Sequence, residues 1–395
     1  MSSKYKLRGV SADKEDVHEA IKGLDKGLYP SAFCKILPDL AGNDSLFCNI
    51  MHADTAGTKS SLAYMYWKET DDISVWRGIV QDAIVMNTDD MACVGCIDQI
   101  ILSSTIGRNK ALINKEVLAN LIQATSGFID KMKDLGVNII LAGGETADVG
   151  DIVRTADVGF TAFARMPKSE LIINRIRPGQ VIVGLASYGQ STYETEYNSG
   201  IGSNGLTMAR HELFHHSYSE KYPETYAPQT DQEYVYSGTK MLTDMVECEG
   251  KMIPIGKLAL SPTRTFLPVL KQVLGQYRDG IAGIIHNTGG GHSKVLRYCD
   301  EAVHIVKDNL LPVPPIFQII KESADTNWEE MFKVFNMGTR IEFYTDEKVA
   351  AKIIEIAQSF NIDADVIGRV EVSEDTEMKV TVSYLGENYV YKMNE

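Results

Sequence analysis

No stretch of this chain reaches the ~18–20 consecutive apolar residues that a membrane-crossing helix needs. Nor is there a dense run of Lys and Arg. The 39 basic residues are outnumbered by 53 acidic ones, for a formal net charge of −14. Nucleic acid and anionic membrane are therefore poor partners. Cysteine is scarce and scattered, at Cys34, Cys48, Cys93, Cys96, Cys248 and Cys299. That is too sparse for a disulfide scaffold and points to a reducing, cytoplasmic setting. Met1 to Asp13 is polar and charged and lacks the apolar stretch of a secretory signal. Repeats, low-complexity tracts and Pro/Gly-rich linkers are also missing. An acidic chain without a basic stripe must gather any phosphate with backbone N–H groups, a few cations or metal ions.

What is present is ample apolar material, 44% of 395 residues, enough for two domains. Residues 45–52, 98–105 and 157–165 read as strands, and Val137 to Leu141 as a buried strand leading into Gly143-Gly144. Residues 78–94 carry Val80, Ile84, Met91 and Val94 at a helical period. A second helix spans 114–135, with Asn114 as N-cap, a stripe of Leu118, Leu121, Ile122, Ile129 and Met132, and Gly136 at its end. The polar stretch Met166 to Asn174, followed by Arg177-Pro178-Gly179, marks a boundary. We therefore expect an α+β protein with domains at 1–170 and 171–395. In the second half, strands are expected at Val181 to Ala186, Ile281 to His286 and Thr339 to Tyr344, and Asp346 caps a helix. Seven of the 18 tyrosines fall between Tyr193 and Tyr236. That makes the segment 187–260 an insertion too aromatic for a disordered tether.

Four constellations carry chemistry. Asp54-Thr55-Ala56-Gly57-Thr58-Lys59 follows a strand. A carboxylate for Mg²⁺, a glycine turn and a lysine suit a metal–triphosphate site, although the pattern is not a Walker A loop. Asn87-Thr88-Asp89-Asp90 lies within the apolar helix, where buried charge is expensive unless satisfied, and a divalent cation would satisfy it. Gly143-Gly144-Glu145-Thr146-Ala147-Asp148 ends a strand, where close backbone approach and acceptors coincide. Thr288-Gly289-Gly290-Gly291 follows a strand and precedes a helix, which suits a phosphate cradle, with His286 two residues earlier. For each, the plainer alternative is an ordinary turn or a solvated face. Ser203-Asn204-Gly205 and Pro262-Thr263-Arg264 are smaller anion-binding candidates, Arg264 as a phosphate clamp.

Three further patterns are weak. His211-Glu212-Leu213-Phe214-His215 matches the H-E-x-x-H of zinc peptidases but lacks a clear third ligand. Gly200 to Gly205 matches G-x-G-x-x-G without a preceding strand. Cys93 and Cys96 form a lone C-x-x-C that reads as buried small residues.

The order of the motifs is more specific than any one of them. Asp54…Gly57-Thr58-Lys59, Asp89-Asp90, Gly143-Gly144-Glu145-Thr146-Ala147, Ser203-Asn204-Gly205, Pro262-Thr263-Arg264, His286…Gly291, Phe335-Asn336-Met337-Gly338 and Ile367-Gly368 follow one another in the chain. Together with Tyr5…Gly9-Val10…Asp13, this series resembles the phosphoribosylformylglycinamidine cyclo-ligase family from about Tyr5 to Arg369. The resemblance implies a two-domain α+β fold whose N-terminal halves pair in a homodimer around a central β-barrel. It implies ATP-dependent closure of an imidazole ring on a ribonucleotide substrate. Carried over, Asp13, Asp54 and Asp90 would hold Mg²⁺. Asp54, Gly57, Thr58, Lys59, Asp90, Gly144, Glu145 and Thr146 would contact ATP. Ser203, Asn204, Gly205, Thr263, Arg264, Thr288, Gly289, Gly290 and Gly291 would hold the substrate. Lys59 and His286 would be catalytic, His286 as the base.

The chain departs from the family pattern in three places. Asp89 stands where the family has Asn, so an altered metal number or affinity is expected. Gly202 stands where the family often has a histidine before S-N-G, so one contact is missing or comes from elsewhere. Leu28 to Gly42 is less glycine-rich. The alternatives are another ATP enzyme of the same superfamily, such as a kinase, and, more distantly, a zinc peptidase using His211 and His215.

Overall fold

The computed structural model describes residue 20 and residues 23–393; Asp13 and the Tyr5 to Asp13 segment lie outside the described residues. Two β-sheets organise the chain. Strands β1 (Ile36–Pro38), β2 (Phe47–Thr55), β3 (Ile100–Arg108), β4 (Ile139–Asp148) and β5 (Ala156–Pro167) form the first, in the order β1-β2-β5-β3-β4. Only β3 and β4 pair in parallel; the other pairs are antiparallel. The helix Val75–Ala92 packs on β2 and β5, and the helix Lys115–Asp134 packs beside it. Asn114 caps that second helix, accepting from the Glu116 and Val117 amides as its residue type predicts.

Two expectations in this half fail. Val137 to Leu141 reads as a buried strand, yet Ile140 and Leu141 are exposed at 57% and 38%. Their strand is the sheet's edge and continues through Gly144, Glu145 and Thr146 to Asp148, rather than ending in a turn. Ile122, placed on the buried stripe of its helix, is exposed as well, and the buried face is Val117, Leu121, Thr125, Phe128 and Met132. The register sets Met51 opposite Phe163, Phe163 opposite Ile101, and Ile101 opposite Ile140. One apolar row therefore crosses the sheet, with Met51, Ile101 and Ile140 open.

The second sheet comes from β6 (Val181–Ala186), β11 (Ile281–His286), β12 (Val303–Lys307), β13 (Thr339–Thr345), β14 (Ala364–Val372), β15 (Lys379–Tyr384) and β16 (Glu387–Lys392), in the order β11-β13-β6-β14-β12-β15-β16. β13 is buried throughout, as β6 is but for its first residue; β6 is an apolar run, whereas β13 buries Arg340 and Glu342 as well. β15 and β16 extend the sheet beyond the last recognisable motif. The helix Glu347–Ser359 packs on β6 and β14, its N-cap Asp346 accepting from Lys348 and Val349. The segment 187–260 is ordered. It contains the pairs β7 (Tyr188–Gly189) with β8 (Asn198–Ser199) and β9 (Met245–Cys248) with β10 (Lys251–Pro254). Its tyrosines supply contacts: Tyr218 stacks on Tyr222, and the Tyr222 hydroxyl donates to Glu69 on the helix Lys59–Thr70. Arg154 donates to the Pro223 carbonyl at 2.7 Å, fastening the insertion to the first half.

A buried polar knot holds β11, β12 and β13 under the glycine loop. Lys307 donates to Glu342 at 2.6 Å and to the His292 carbonyl at 2.8 Å. Tyr344 and Asn287 also donate to Glu342. The His292 Nε2 meets the Asn336 carbonyl at 3.0 Å, so this ring is neutral with Nε2 protonated. Burial and the Lys307 charge hold its pKa down at about 3. An unfolded histidine takes up a proton below ~6.5, which the folded one refuses, so stability is complete above that pH and falls as the solution is acidified. We expect the stability difference between wild type and His292→Gln to narrow by about 2 kcal/mol from pH 7 to pH 5, read by urea denaturation. A difference that stays constant with pH would contradict this assignment.

Candidate active site

The helix Val75–Ala92 is buried along nearly all its length, and it carries Asp82, Asn87, Thr88, Asp89 and Asp90 inward. Its sequence suggests that a divalent cation satisfies Asn87, Thr88, Asp89 and Asp90. For Asn87 and Asp89 the protein does so instead, as it does for Asp82. Asp82 Oδ1 accepts from Lys59 Nζ at 3.0 Å and from the amide and hydroxyl of Thr263 at 2.7 and 2.6 Å. Asp89 accepts from the Thr265 hydroxyl and the Phe266 amide. Asn87 donates to the Ala83 and Phe160 carbonyls. Asp89 therefore faces the 262–266 segment of the second half and is not an added metal carboxylate. Burial pushes it up to about 7, against the opposing bonds from Phe266 and Thr265.

Asp90 is the exception, because its partners are imidazoles. Its Oδ1 lies 2.7 Å from His286 Nδ1, and its Oδ2 lies 3.4 Å from His52 Nε2. Burial alone would raise the carboxyl, but the Lys294 charge and the two histidines outweigh it and hold Asp90 well below the ordinary range. The two rings are shifted in opposite directions. His52 offers Nδ1 to the Asn87 Oδ1 at 3.0 Å and Nε2 to Asp90. The Asn87 amide is oriented by its two carbonyl partners, so His52 Nδ1 faces an amide oxygen while Nε2 faces the Asp90 carboxylate. The His52 pKa is raised accordingly: burial lowers it, and Asp90 more than compensates. His286 is fully buried, gives Nδ1–H to Asp90, and turns Nε2 toward Arg340 NH1 at 3.4 Å. Burial keeps it down at about 4, so it is neutral with an acceptor nitrogen at Nε2.

Around this core the two halves converge. Asp54 is half-buried at the end of β2, and Gly57 and Thr58 are exposed, Gly57 at φ 61° with open space where a Cβ would stand. The Thr58 hydroxyl lies 2.8 Å from that of Thr207, in the first turn of the helix Leu206–Leu213. That helix follows Ser203-Asn204-Gly205, and Ser203 touches the Thr263 hydroxyl at 3.5 Å. Thr288 and Gly290-Gly291 are buried, and a 3₁₀ helix, Gly291–Tyr298, follows them. Lys294 in that turn donates to Thr288 and lies 4.6 Å from the Phe33 ring centre. Gly144, Glu145 and Thr146 are exposed along β4.

Several expected roles change. Lys59, read as a phosphate contact, is wholly buried. Its three protons go to Asp82, the Gly202 carbonyl at 3.0 Å and the Ser261 carbonyl at 2.6 Å. It is a joint between the halves, and no donor is left for a nucleotide. Arg264, read as a phosphate clamp, is equally committed. It binds Glu194 through Nε and NH2 and the carbonyls of Ala186, Tyr188 and Gly189. The H-E-x-x-H pattern fails because the helix ends at Leu213, before His215. His211 is buried against Tyr236, while His215 is exposed and pairs with Ser217. Among the described residues no group of three or more His, Cys, Asp or Glu is placed to hold a metal. Cys93 and Cys96 are buried and unpaired, as their spacing suggests.

Sequence reading missed His52, Lys294 and Arg340. His52 and Asp54 are two apart on a strand, which places them on one face. Arg340 is a charge inside a fully buried strand, and Lys294 a cation just past three glycines. Both are signals of buried charge with a task.

Known proteins of two kinds match. The AIR synthase related protein N-terminal domain covers residues 42–166, and the AIR synthase related protein C-terminal domain covers residues 177–381. A phosphoribosylformylglycinamidine cyclo-ligase of Methanococcus maripaludis (strain C5) is 30% identical over 384 residues, 93% of this chain and 92% of that protein. One of Staphylococcus carnosus is 26% identical over 96% of this chain and 99% of that protein. Among solved structures, the HypE-HypF complex aligns over 96% of this chain and 99% of that chain, with a TM-score of 0.55 and 13% identity. Phosphoribosylformylglycinamidine synthase II from Thermotoga maritima aligns over 99% of this chain with a TM-score of 0.55 and 12% identity. This chain spans 50% of its length. These two structures share the fold.

The Lys59–Asp82 joint makes a stability prediction. Lys59→Met leaves the Asp82 carboxylate buried without its counter-charge and is expected to cost about 3–5 kcal/mol in urea denaturation. Adding Asp82→Leu should return a large part of that loss. Strictly additive single-variant effects would show that the two do not act as a pair.

Proposed function

The chain belongs to the AIR synthase related family, and from that premise we propose that it closes the imidazole ring of formylglycinamidine ribonucleotide. The products are aminoimidazole ribonucleotide, ADP and phosphate, in de novo purine synthesis. The observation that carries this reading is the meeting of the motifs. Thr58 of the first half touches Thr207 behind Ser203-Asn204-Gly205 of the second, and Asp90 of the first half pairs with His286 of the second, one imidazole nitrogen remaining an acceptor. A cyclo-ligase must bring a triphosphate and a ribonucleotide together beside a base, and this arrangement supports that need.

In the reaction the γ-phosphoryl group passes to the formyl-amide oxygen. A P–O bond forms there and the bond to the β-phosphate oxygen breaks. The amidine-side nitrogen then attacks the activated carbon, the C–O bond breaks, and phosphate leaves. His286 takes the nitrogen's proton at Nε2, and Asp90 holds the ring in the required tautomer through Nδ1. Gly57 and Thr58, with Gly144, Glu145 and Thr146 on the exposed edge of β4, serve the nucleotide. Ser203, Asn204, Thr263 and the Thr288–Gly291 loop serve the ribonucleotide, helped by Lys294. Asp54 and Asp90 fit Mg²⁺ carried in with the triphosphate. Asp54 is a half-buried hard oxygen donor, and Asp90 keeps its carboxylate charge despite burial, so both would suit such an ion. That ion supplies neutralisation of phosphate charge. Lys59 and Arg264 act by holding Gly202 and the β6–β7 carbonyls in place.

The exposed row of Met51, Ile101 and Ile140 supports a homodimer built on the first sheet, with β4 at its margin. Unpaired thiols at all six cysteines suit the cytoplasm. We expect Ile101→Glu to convert a dimer to monomers in sedimentation velocity, and an unchanged mass would remove this interface.

Steady-state ADP release with Mg²⁺-ATP should depend on formylglycinamidine ribonucleotide and yield aminoimidazole product. Asp90→Ala should lower kcat/KM by about 100-fold or more with the fold intact. ATP turnover indifferent to that substrate would point instead to another activating enzyme of the superfamily.

A further inference from the structure

Two buried arginines in the second half are satisfied very differently. Arg264 has a partner for each of its N–H groups, including an ion pair with Glu194. Arg340 is just as buried, at 1% exposure. Its NH1 has only His286 Nε2 at 3.4 Å, its NH2 only the Ile201 carbonyl at 3.3 Å, and its Nε has no partner. Among the described residues it forms no ion pair, and Asp82, Asp89 and Asp90 act on it only through space. A buried guanidinium short of acceptors is unfavourable in the empty protein, and an anion would complete it.

The surroundings are shaped for such an anion. Gly202 has φ 69°, and a Cβ there would overlap the Arg340 guanidinium, so the absence of a side chain lets the cation lie beneath the Ser203-Asn204 turn. Asn336 fixes this turn's approach by donating to the Gly200 carbonyl at 2.9 Å. Asn204 is half-buried, and its Nδ2, a donor, faces Gly289 of the glycine loop. An orphan guanidinium donor therefore lies near the meeting point of two loops, beside His286.

We propose that Arg340 is the cationic floor of an oxyanion subsite, lined by Gly202, Ser203, Asn204 and the Thr288–Gly291 loop, that takes a phosphoryl group. Which phosphoryl rests on the ring-closing reading: the one moving from ATP to the amide oxygen, or the ribose phosphate of the substrate. An anion drawn to Arg340 also withdraws the guanidinium from His286 Nε2, so filling the subsite frees the base.

The test is equilibrium dialysis of the full chain with labelled inorganic phosphate, with and without ADP, and with labelled ribose 5-phosphate. Wild type, Arg340→Lys, Arg340→Gln and Gly202→Ala are compared. Arg340→Gln should weaken anion binding about tenfold or more and Arg340→Lys only a few-fold, with ADP binding alone unchanged. Loss confined to phosphate in the presence of ADP assigns the subsite to the transferred group. Loss confined to ribose 5-phosphate assigns it to the substrate's own phosphate. If Arg340→Gln does not fold, Gly202→Ala decides, because it displaces the guanidinium without removing its charge from the chain. Binding of both anions within twofold of wild type in the variants, or no binding by wild type, overturns the proposal. No ring-closing substrate is present in this assay. Arg340-dependent phosphate binding without turnover of formylglycinamidine ribonucleotide would therefore sink the reaction and leave the subsite standing.

Discussion

The structure depends on how one buried helix disposes of its charge. Val75–Ala92 carries Asp82 and Asp89 into a place with no water, and a buried carboxylate without partners costs several kcal/mol. Both find their donors in residues 263–266 of the other half, and Asp82 adds Lys59. Lys59 then reaches the carbonyls of Gly202 and Ser261. The two sheets are fixed to each other through these bonds. That is why the first-half turn at Gly57-Thr58 comes to lie against the helix that follows Ser203-Asn204-Gly205. A site made of two halves needs this registration, because a shift of ~1 Å between reacting groups is enough to cost much of the rate.

The same helix, one residue further on, supplies the chemistry. Asp90 is satisfied by imidazoles rather than by fixed donors, and its two neighbours are shifted in opposite directions. His52 is pushed up by Asp90 against its burial; His286 is held down by burial, gives one nitrogen to Asp90 and keeps the other as an acceptor. Neither shift follows from histidine's ordinary pKa near 6.5. Both follow from what the ring nitrogens face, carboxamide oxygen and carboxylate in one case, carboxylate and guanidinium in the other.

Polar groups that look alike in the sequence thus divide by their degree of satisfaction. Lys59 and Arg264 are saturated and hold the frame. Arg340 is short of acceptors and Asn204 has an orphan oxygen, and both lie at the loops that the motif order singles out. Gly202, read in the sequence as a contact that is missing, is the space in which Arg340 lies.

The sequence by itself determined the local elements and their order. Hydrophobic period and capping gave the helices at Lys115–Asp134 and Glu347–Ser359, with Asn114 and Asp346 bonded as their residue types require. Apolar runs gave β6 and β11, and the motif series gave the family. These depend on interactions within a few residues, which a linear reading contains. Tertiary structure decided which charges are frame and which are site, because that depends on partners 60 to 200 residues away, as with Asp82 and Thr263 or Asp90 and His286. It also decided which apolar residues face solvent: Ile140 and Leu141 read as core, yet β4 is at the sheet's edge and Ile140 lies in a row with Met51 and Ile101 on a face left open. The opposite shifts of His52 and His286 belong to the same class, since burial and a neighbour's charge are properties of the folded chain and not of the residue.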